Sequence, residues 1–180
     1  LDAAGAGGVY FTVNPCKPEL LARAANRLKA SGRKSPQTSD HDIAVVRWLP
    51  IDLDPTRPAG ISSSDEEYRK AVQIGSQVAA WFEREHGWPA GIRASSANGI
   101  HVVYPVEELA ATDETKELVK KCLQAVSQKF SGRGVDVDEV VYNPARIWKV
   151  YGTTARKGDS TKERPHRKSF LKEESVVAYN

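Results

Sequence analysis

Asp52 and Asp54 stand two residues apart within Trp48-Leu49-Pro50-Ile51-Asp52-Leu53-Asp54-Pro55. On an extended strand, side chains at i and i+2 share a face, with Cα atoms about 6.5–7 Å apart. Two acids at a strand's end can share a hard cation such as magnesium, which takes carboxylate and water oxygens. Taken alone, the tetrapeptide also reads as an ordinary Asp-X-Asp-Pro turn, since both residue types favour turns. A further run, Val135-Asp136-Val137-Asp138, repeats the alternation. If Val135 and Val137 face a core, Asp136 and Asp138 face the open side. Three converging carboxylates could hold the paired metals of phosphoryl transfer, about 4 Å apart.

Ser95-Ser96-Ala97-Asn98-Gly99-Ile100-His101 joins two apolar stretches. Asn-Gly is a strong hairpin signal. A turn of small residues exposes backbone N–H groups that can bind phosphate oxygens, and His101 then enters the next strand as a donor. The plainer alternative is a hairpin with a surface histidine. Gly152-Thr153-Thr154-Ala155-Arg156-Lys157-Gly158 lacks P-loop spacing, and no P-loop occurs elsewhere, which argues against an ATPase. Arg164-Pro165-His166-Arg167 sets cationic groups around a rigid proline, a composition that neutralises phosphates. Trp48, Trp81, Trp88 and Trp148 could stack on bases, although Trp81 reads as core.

The net charge of +3 conceals an uneven distribution. From Arg146 to Lys172 nine basic residues face only Asp159 and Glu163, a local balance of +7, leaving −4 for the remainder. A basic stretch beside an acidic remainder fits a polyanion partner; a solvated loop would have the same composition. The 180 residues suit one domain, or two packed modules. They include no Met, so the chain is expected to be a piece of a longer protein. No apolar run approaches the roughly 20 residues that span a bilayer, and no secretory leader is visible. Cys16 and Cys122 are too few for a disulfide framework or a Cys-rich zinc site. No zinc is expected, and both read as buried, reduced thiols.

The elements that must position these residues follow from pattern. Gly7–Pro15 reads as a strand. Pro18–Ala30 reads as a helix, and Ser31–Ser39 as a loop. Ile43–Asp54 reads as a strand, bulged or at an edge at Pro50. Ser62–Ser64 with Asp65, Glu66 and Glu67 starts a long helix to His86. Gly91–Ser95 and Ile100–Val106 form the hairpin. Thr112 or Asp113 caps a helix to about Phe130, with Leu118, Val119, Cys122, Leu123, Val126 and Phe130 on one stripe. Val135–Tyr142 and Ile147–Val150 read as strands, Gly152–Lys168 as a basic loop and Phe170–Tyr179 as a last strand. Hairpin, helix and strands in the second half suit a split βαβ sheet.

Together these motifs resemble the archaeo-eukaryotic primase superfamily, specifically its bifunctional primase–polymerase domains. The resemblance spans about Gly7 to Lys168. It rests on the Asp52-Leu53-Asp54 segment with Arg57-Pro58 and Ile61-Ser62-Ser63 behind it, then on Ser96-Ala97-Asn98-Gly99-Ile100-His101, with Ala97 where Gly is commoner. The third signature is Val137-Asp138 followed by Tyr142-Asn143-Pro144-Ala145-Arg146-Ile147-Trp148-Lys149-Val150-Tyr151-Gly152-Thr153, with Lys157-Gly158 and Arg164-Pro165-His166-Arg167 further on.

The resemblance implies an α+β primase–polymerase fold, a single catalytic domain over 1–180, in which an N-terminal α/β module packs on a module like that of RNA-recognition proteins with the site between them. Asp52, Asp54 and Asp138 would hold two Mg²⁺ or Mn²⁺ ions, with Asp136 as the fallback for Asp138. Ser96, Asn98 and His101 would meet the incoming nucleotide, joined by Lys149 and Thr153. Arg146, Arg156, Lys157, Arg164, His166 and Arg167 would meet triphosphate or template. The implied partners are single-stranded DNA template, primer, NTP or dNTP, and a helical or helicase domain elsewhere in the full-length protein. The implied setting is the cytoplasm, in plasmid or phage-type replication, with no membrane.

The implied reaction is attack of a primer or initiating hydroxyl on the α-phosphate of a triphosphate. A non-catalytic single-strand-binding module would keep the basic groove without chemistry. A replication-initiator nuclease would want His-X-His, which the sequence lacks.

Overall fold

The computed structural model describes residues 1–27, 29–30 and 36–172. Among these, nine strands are defined: β1 (Tyr10–Thr12), β2 (Val45–Pro55), β3 (Ile92–Ser95), β4 (Ile100–Ala110), β5 (Val135–Val137), β6 (Ile147–Lys149), β7 (Thr154–Ala155), β8 (Arg167–Lys168) and β9 (Phe170–Leu171). Two α-helices, α1 (Asp65–Glu85) and α2 (Asp113–Phe130), complete a mixed α+β chain. The central sheet is antiparallel, in the order β5-β2-β4-β3-β9. Its first four strands, with one helix after β2 and one after β4, reproduce the split βαβ order. That unit begins at Val45, earlier than the second-half placement expected from the sequence. The other pairs, β1 with β6 and β7 with β8, are two-stranded pieces.

Strand alternation decides what each sheet face carries. Leu49, Ile51 and Leu53 on β2 register with Tyr104, Val102 and Ile100 on β4, all nearly or fully buried. Val135 and Val137 extend this face from β5, and Ala71, Ile74, Val78, Phe82, Val119, Leu123 and Val126 cover it from the two helices. The opposite face carries Asp52, Asp54 and His101 at one end. At its other end Trp48 and Val103 meet Val13 and Trp148 across an apolar groove.

Ser64 caps α1 by accepting from Glu67 N–H, while the Glu67 carboxylate accepts from Ser64 N–H, the reciprocal capping box. Thr112 caps α2 by accepting from Thr115 N–H. Gly75 lets α1 lie on β4, because a Cβ there would meet Ile100 Cγ2 at 2.5 Å. Gly75→Ala therefore should destabilise the fold by about 1–3 kcal/mol by overpacking, although Ala is the better helix former by about 1 kcal/mol. Chemical denaturation checks this; a variant more stable than the parent would contradict the close packing.

Several expectations need correction. The helix expected over Pro18–Ala30 is a short 3₁₀ turn, Pro18–Arg23, with no buried residue and Leu21 exposed. A short helix with no packed face is marginal in water. Leu28, Ser31–Ser35 of the loop and the 173–179 part of the last strand lie outside the described residues. The strand expected over Val135–Tyr142 stops at Val137, because Asp138 accepts from Val140 N–H and starts a 3₁₀ turn, Glu139–Tyr142. Leu118 is exposed rather than part of the buried stripe of α2. The register shift in β2 lies between Val46 and Trp48, not at Pro50. The Asp52 carbonyl accepts from Asp138 N–H, so Pro50, two residues earlier, turns its missing donor to the same side. β5 pairs only with Leu53–Pro55 and leaves that side without a paired strand at Pro50, which is the edge position expected. Cys16 and Cys122 are unpaired, and each is half-buried rather than buried.

Candidate nucleotide-binding site

A cleft of about 380 Å³ opens over the polar end of the sheet. Its floor is Asp52 and Asp54 from the end of β2 and His101 from the start of β4, where Asp52 registers opposite His101. Ser96 and Asn98 enter from the β3–β4 turn, and Asp138 from the residue after β5. Arg146, Ile147, Trp148 and Lys149 form another wall, with Tyr10 from β1 and with Ala155 and Lys157 near β7. Three acids and three bases thus share one concave surface.

The turn is built tightly. Ser96 N–H donates to the Gly99 carbonyl and Gly99 N–H donates to Ser96 Oγ, at 3.1 and 2.9 Å. Ala97 N–H donates to Ser95 Oγ, and Ala97 takes a φ of 82°. That left-handed conformation costs a non-glycine residue about 1–2 kcal/mol, which gives physical meaning to Ala standing where Gly is commoner. Asn98 Oδ1 accepts from Ser63 N–H at 2.9 Å, so this side chain locks the turn to the segment before α1.

Asp52 is the electrostatic centre. Burial raises its carboxyl well above the ordinary carboxylate range; Asp54 and Asp138 add to the rise, while Lys157 and Arg146 oppose it. Its Oδ1 is buried and has no hydrogen-bond partner among the described residues; His101 Nε2 stands 3.5 Å away. Asp54 is held by Arg57 at 3.4 Å, and Arg57 also donates to the carbonyls of Pro55 and Ile61. Asp138 receives Arg146 at 3.2 Å. The three acids line the same cleft, but among the described residues no three His, Cys, Asp or Glu side chains form a set that could hold a metal ion. Asp138 thus lines the cleft with Asp52 and Asp54 while paired with Arg146. Asp136 registers opposite Asp54, accepts from Thr56 Oγ1 and lines the neighbouring hollow instead.

Burial pushes His101 down to about 3, so a neutral imidazole faces the cleft at pH 7. Lys149 is 4% exposed; its Nζ donates to the Thr154 carbonyl and stands 5.3 Å from the Tyr10 ring centroid. Burial lowers its pKa, Asp2 opposes the fall and Arg156 adds to it.

The structure does not bring every candidate into the cleft. Thr153 Oγ1 donates to the Val150 carbonyl. Arg156 binds Asp2 and the Ala6 carbonyl. Arg164 binds Glu67 and the Ser62 carbonyl, Arg167 binds Asp65 and the Ser63 carbonyl, and His166 Nε2 meets the Gly158 carbonyl. Much of the +7 stretch is therefore matched internally, and Arg164 and Arg167 tie the loop to the start of α1. Lys157, Lys162, Lys168 and Lys172 have no ion-pair partner among the described residues. Sequence reasoning assigned no role to Tyr10, Arg57 or Tyr151. Arg57 and Tyr151 stood inside the quoted motifs, whereas nothing in the pattern marks Tyr10.

Comparison with protein-family models finds no match. Comparison with curated proteins finds none either. Among solved structures, the chain is similar to the polymerase domain from Mycobacterium tuberculosis Ligase D in complex with DNA, at a TM-score of 0.45 and 14% identity, over 77% of this chain and 48% of that one. The chain thus spans about half the length of that neighbour. No described helix is long and apolar enough to cross a membrane.

Proposed function

We propose that the cleft binds a nucleoside triphosphate and transfers its nucleotidyl group to a primer or initiating hydroxyl on a single-stranded DNA template, as in the primase–polymerases whose ordered motifs this chain resembles. One observation carries the reading: a partly buried aspartate with an enclosed, unpartnered oxygen, flanked by two further acids, in a cleft whose facing wall is cationic. A divalent cation fits that place, since it would supply the partner that Asp52 Oδ1 lacks and offset the repulsion among Asp52, Asp54 and Asp138. Asp52 and Asp54 would hold it, and Asp138 would join on leaving Arg146. When bound, such ions activate the attacking hydroxyl and support the departing pyrophosphate.

The chain's own groups do the rest. Arg146, Lys149 and Lys157 offset the charge of the triphosphate. The N–H groups of Ser96, Ala97 and Gly99 are held inside the turn, so the turn meets the phosphates through the Ser96 hydroxyl, and neutral His101 offers an N–H without adding charge. Tyr10, half exposed at the rim, offers a ring face to a base. The unpaired lysines favour a template contact that is salt-sensitive and tolerant of sequence.

Extension of a primed template separates this reading from a binding module. Extension is expected with Mg²⁺ or Mn²⁺ and should stop on chelation. Strand binding should persist with chelator and weaken between about 50 and 200 mM salt. Binding without nucleotide consumption under every metal condition would favour the module.

A further inference from the structure

Behind the cleft, Trp148, Tyr151 and His101 form a hydrogen-bonded row. Trp148 Nε1–H donates to Tyr151 Oη at 2.9 Å, and Tyr151 Oη lies 2.9 Å from His101 Nδ1. The Trp148 and His101 rings stack with centroids 4.0 Å apart. Trp148 and His101 are each 3% exposed. On the far side of the row lies the apolar groove of Phe11, Val13, Trp48, Ile92, Val103 and Leu171, whose side chains offer the phenol no competing acceptor.

The order of donors can be deduced. An indole N–H only donates, so the Tyr151 oxygen accepts from Trp148. The phenol keeps one hydrogen, and His101 Nδ1 is its available acceptor. A proton on Nδ1 would give that oxygen two incoming N–H groups and strand the phenolic hydrogen in a buried place, at the cost of an unmade hydrogen bond. With Nδ1 accepting, the ring proton sits on Nε2. Nε2 faces the cleft, where Asp52 Oδ1 stands 3.5 Å away without a hydrogen bond. The Nε2–H form thus leaves a donor at the cleft.

We infer that Tyr151 is a positioning residue that fixes His101 as the Nε2–H tautomer, so that the imidazole presents a donor to the cleft, and that Trp148 orients Tyr151 for this task. Where the row serves catalysis, it rests on the nucleotidyl-transfer reading; the tautomer itself does not. A merely structural Tyr151 would pack the same way but leave the ring proton free to choose either nitrogen.

Long-range ¹H–¹⁵N correlation on the intact chain reads the tautomer directly, without substrate. Wild type is expected to show His101 with Nε2–H. Tyr151→Phe should give a mixture or the opposite tautomer, and raise KM for the triphosphate about tenfold with a much smaller change in kcat. Trp148→Phe removes the donor that holds the Tyr151 oxygen as an acceptor and should give a partial loss of the Nε2–H form; an unchanged tautomer there would remove Trp148 from the assignment. An Nδ1–H tautomer in wild type would overturn the inference even if Tyr151→Phe failed to fold. So would a folded Tyr151→Phe with unchanged tautomer and KM. Inactive wild type with the Nε2–H tautomer would sink the proposed function and leave the row standing.

Discussion

Asp52→Asn is expected to abolish nucleotide transfer while making the fold more stable. Asp52 is partly buried, its Oδ1 is enclosed and lacks a partner, and desolvation, Asp54 and Asp138 all disfavour its charge. Asn keeps the shape and removes the buried charge, a change of the kind worth about 1–2 kcal/mol. The same change removes the site's least compensated negative charge, and activity should fall on the order of 10³-fold. The pH dependence has a definite sign. A carboxyl whose folded pKa is raised contributes its stability below its unfolded value, and that contribution is lost as pH rises through the folded value. The gain from Asp52→Asn should thus be absent in the usual carboxylate range and grow as pH rises above it. Thermal melts of both proteins with chelator would show it. A divalent ion that binds the native site should stabilise wild type and not the variant. A variant less stable than wild type at neutral pH would contradict the assignment of Asp52 as an uncompensated buried charge.

Gly99→Ala should be the most damaging single methyl addition near the site. A Cβ at Gly99 would stand 2.2 Å from the Leu53 carbonyl oxygen and 3.0 Å from Asp54 Oδ1. The first is backbone of the central strand and the second a site acid, so neither yields without parting β2 from β4. Gly99 cannot shift the other way, because its N–H and carbonyl both bond Ser96. Loss of about 3 kcal/mol or more is expected, a fall in Tm of about 6–12 °C at this size, with activity lost as Asp54 is displaced. A melt matching wild type would show that the strands are not so closely joined there.

Much of the site was legible because it depends on strand parity. Asp52 and Asp54 had to share a face if Ile51 and Leu53 were buried, and both of the latter are fully buried. The Asn98-Gly99 turn announced its hairpin, and that hairpin carries His101 to a place opposite Asp52. What escaped depends on contacts between distant segments. Nothing in Asp138's neighbourhood foretells that it would cap a turn and receive Arg146 while lining the cleft with Asp52. The charge count of the basic stretch misled for a related reason: Arg156, Arg164 and Arg167 find Asp2, Glu67 and Asp65 roughly 100 to 150 residues earlier. The helix expected after Pro18 had the right spacing but nothing to pack against. The row from Trp148 to His101 joins Tyr151 to a residue 50 positions earlier, a contact no local pattern encodes.

The central claim is that this cleft forms a bond to the α-phosphorus of a nucleotide, and differential labelling tests it most directly. Triphosphate labelled at the α-phosphate in one reaction and at the γ-phosphate in another is offered on a single-stranded template, primed and unprimed, with Mg²⁺ or Mn²⁺. α-Label is expected in lengthened polymer and γ-label in released pyrophosphate, and neither with Asp52→Asn. Template binding with no α-label entering polymer under either metal would contradict it.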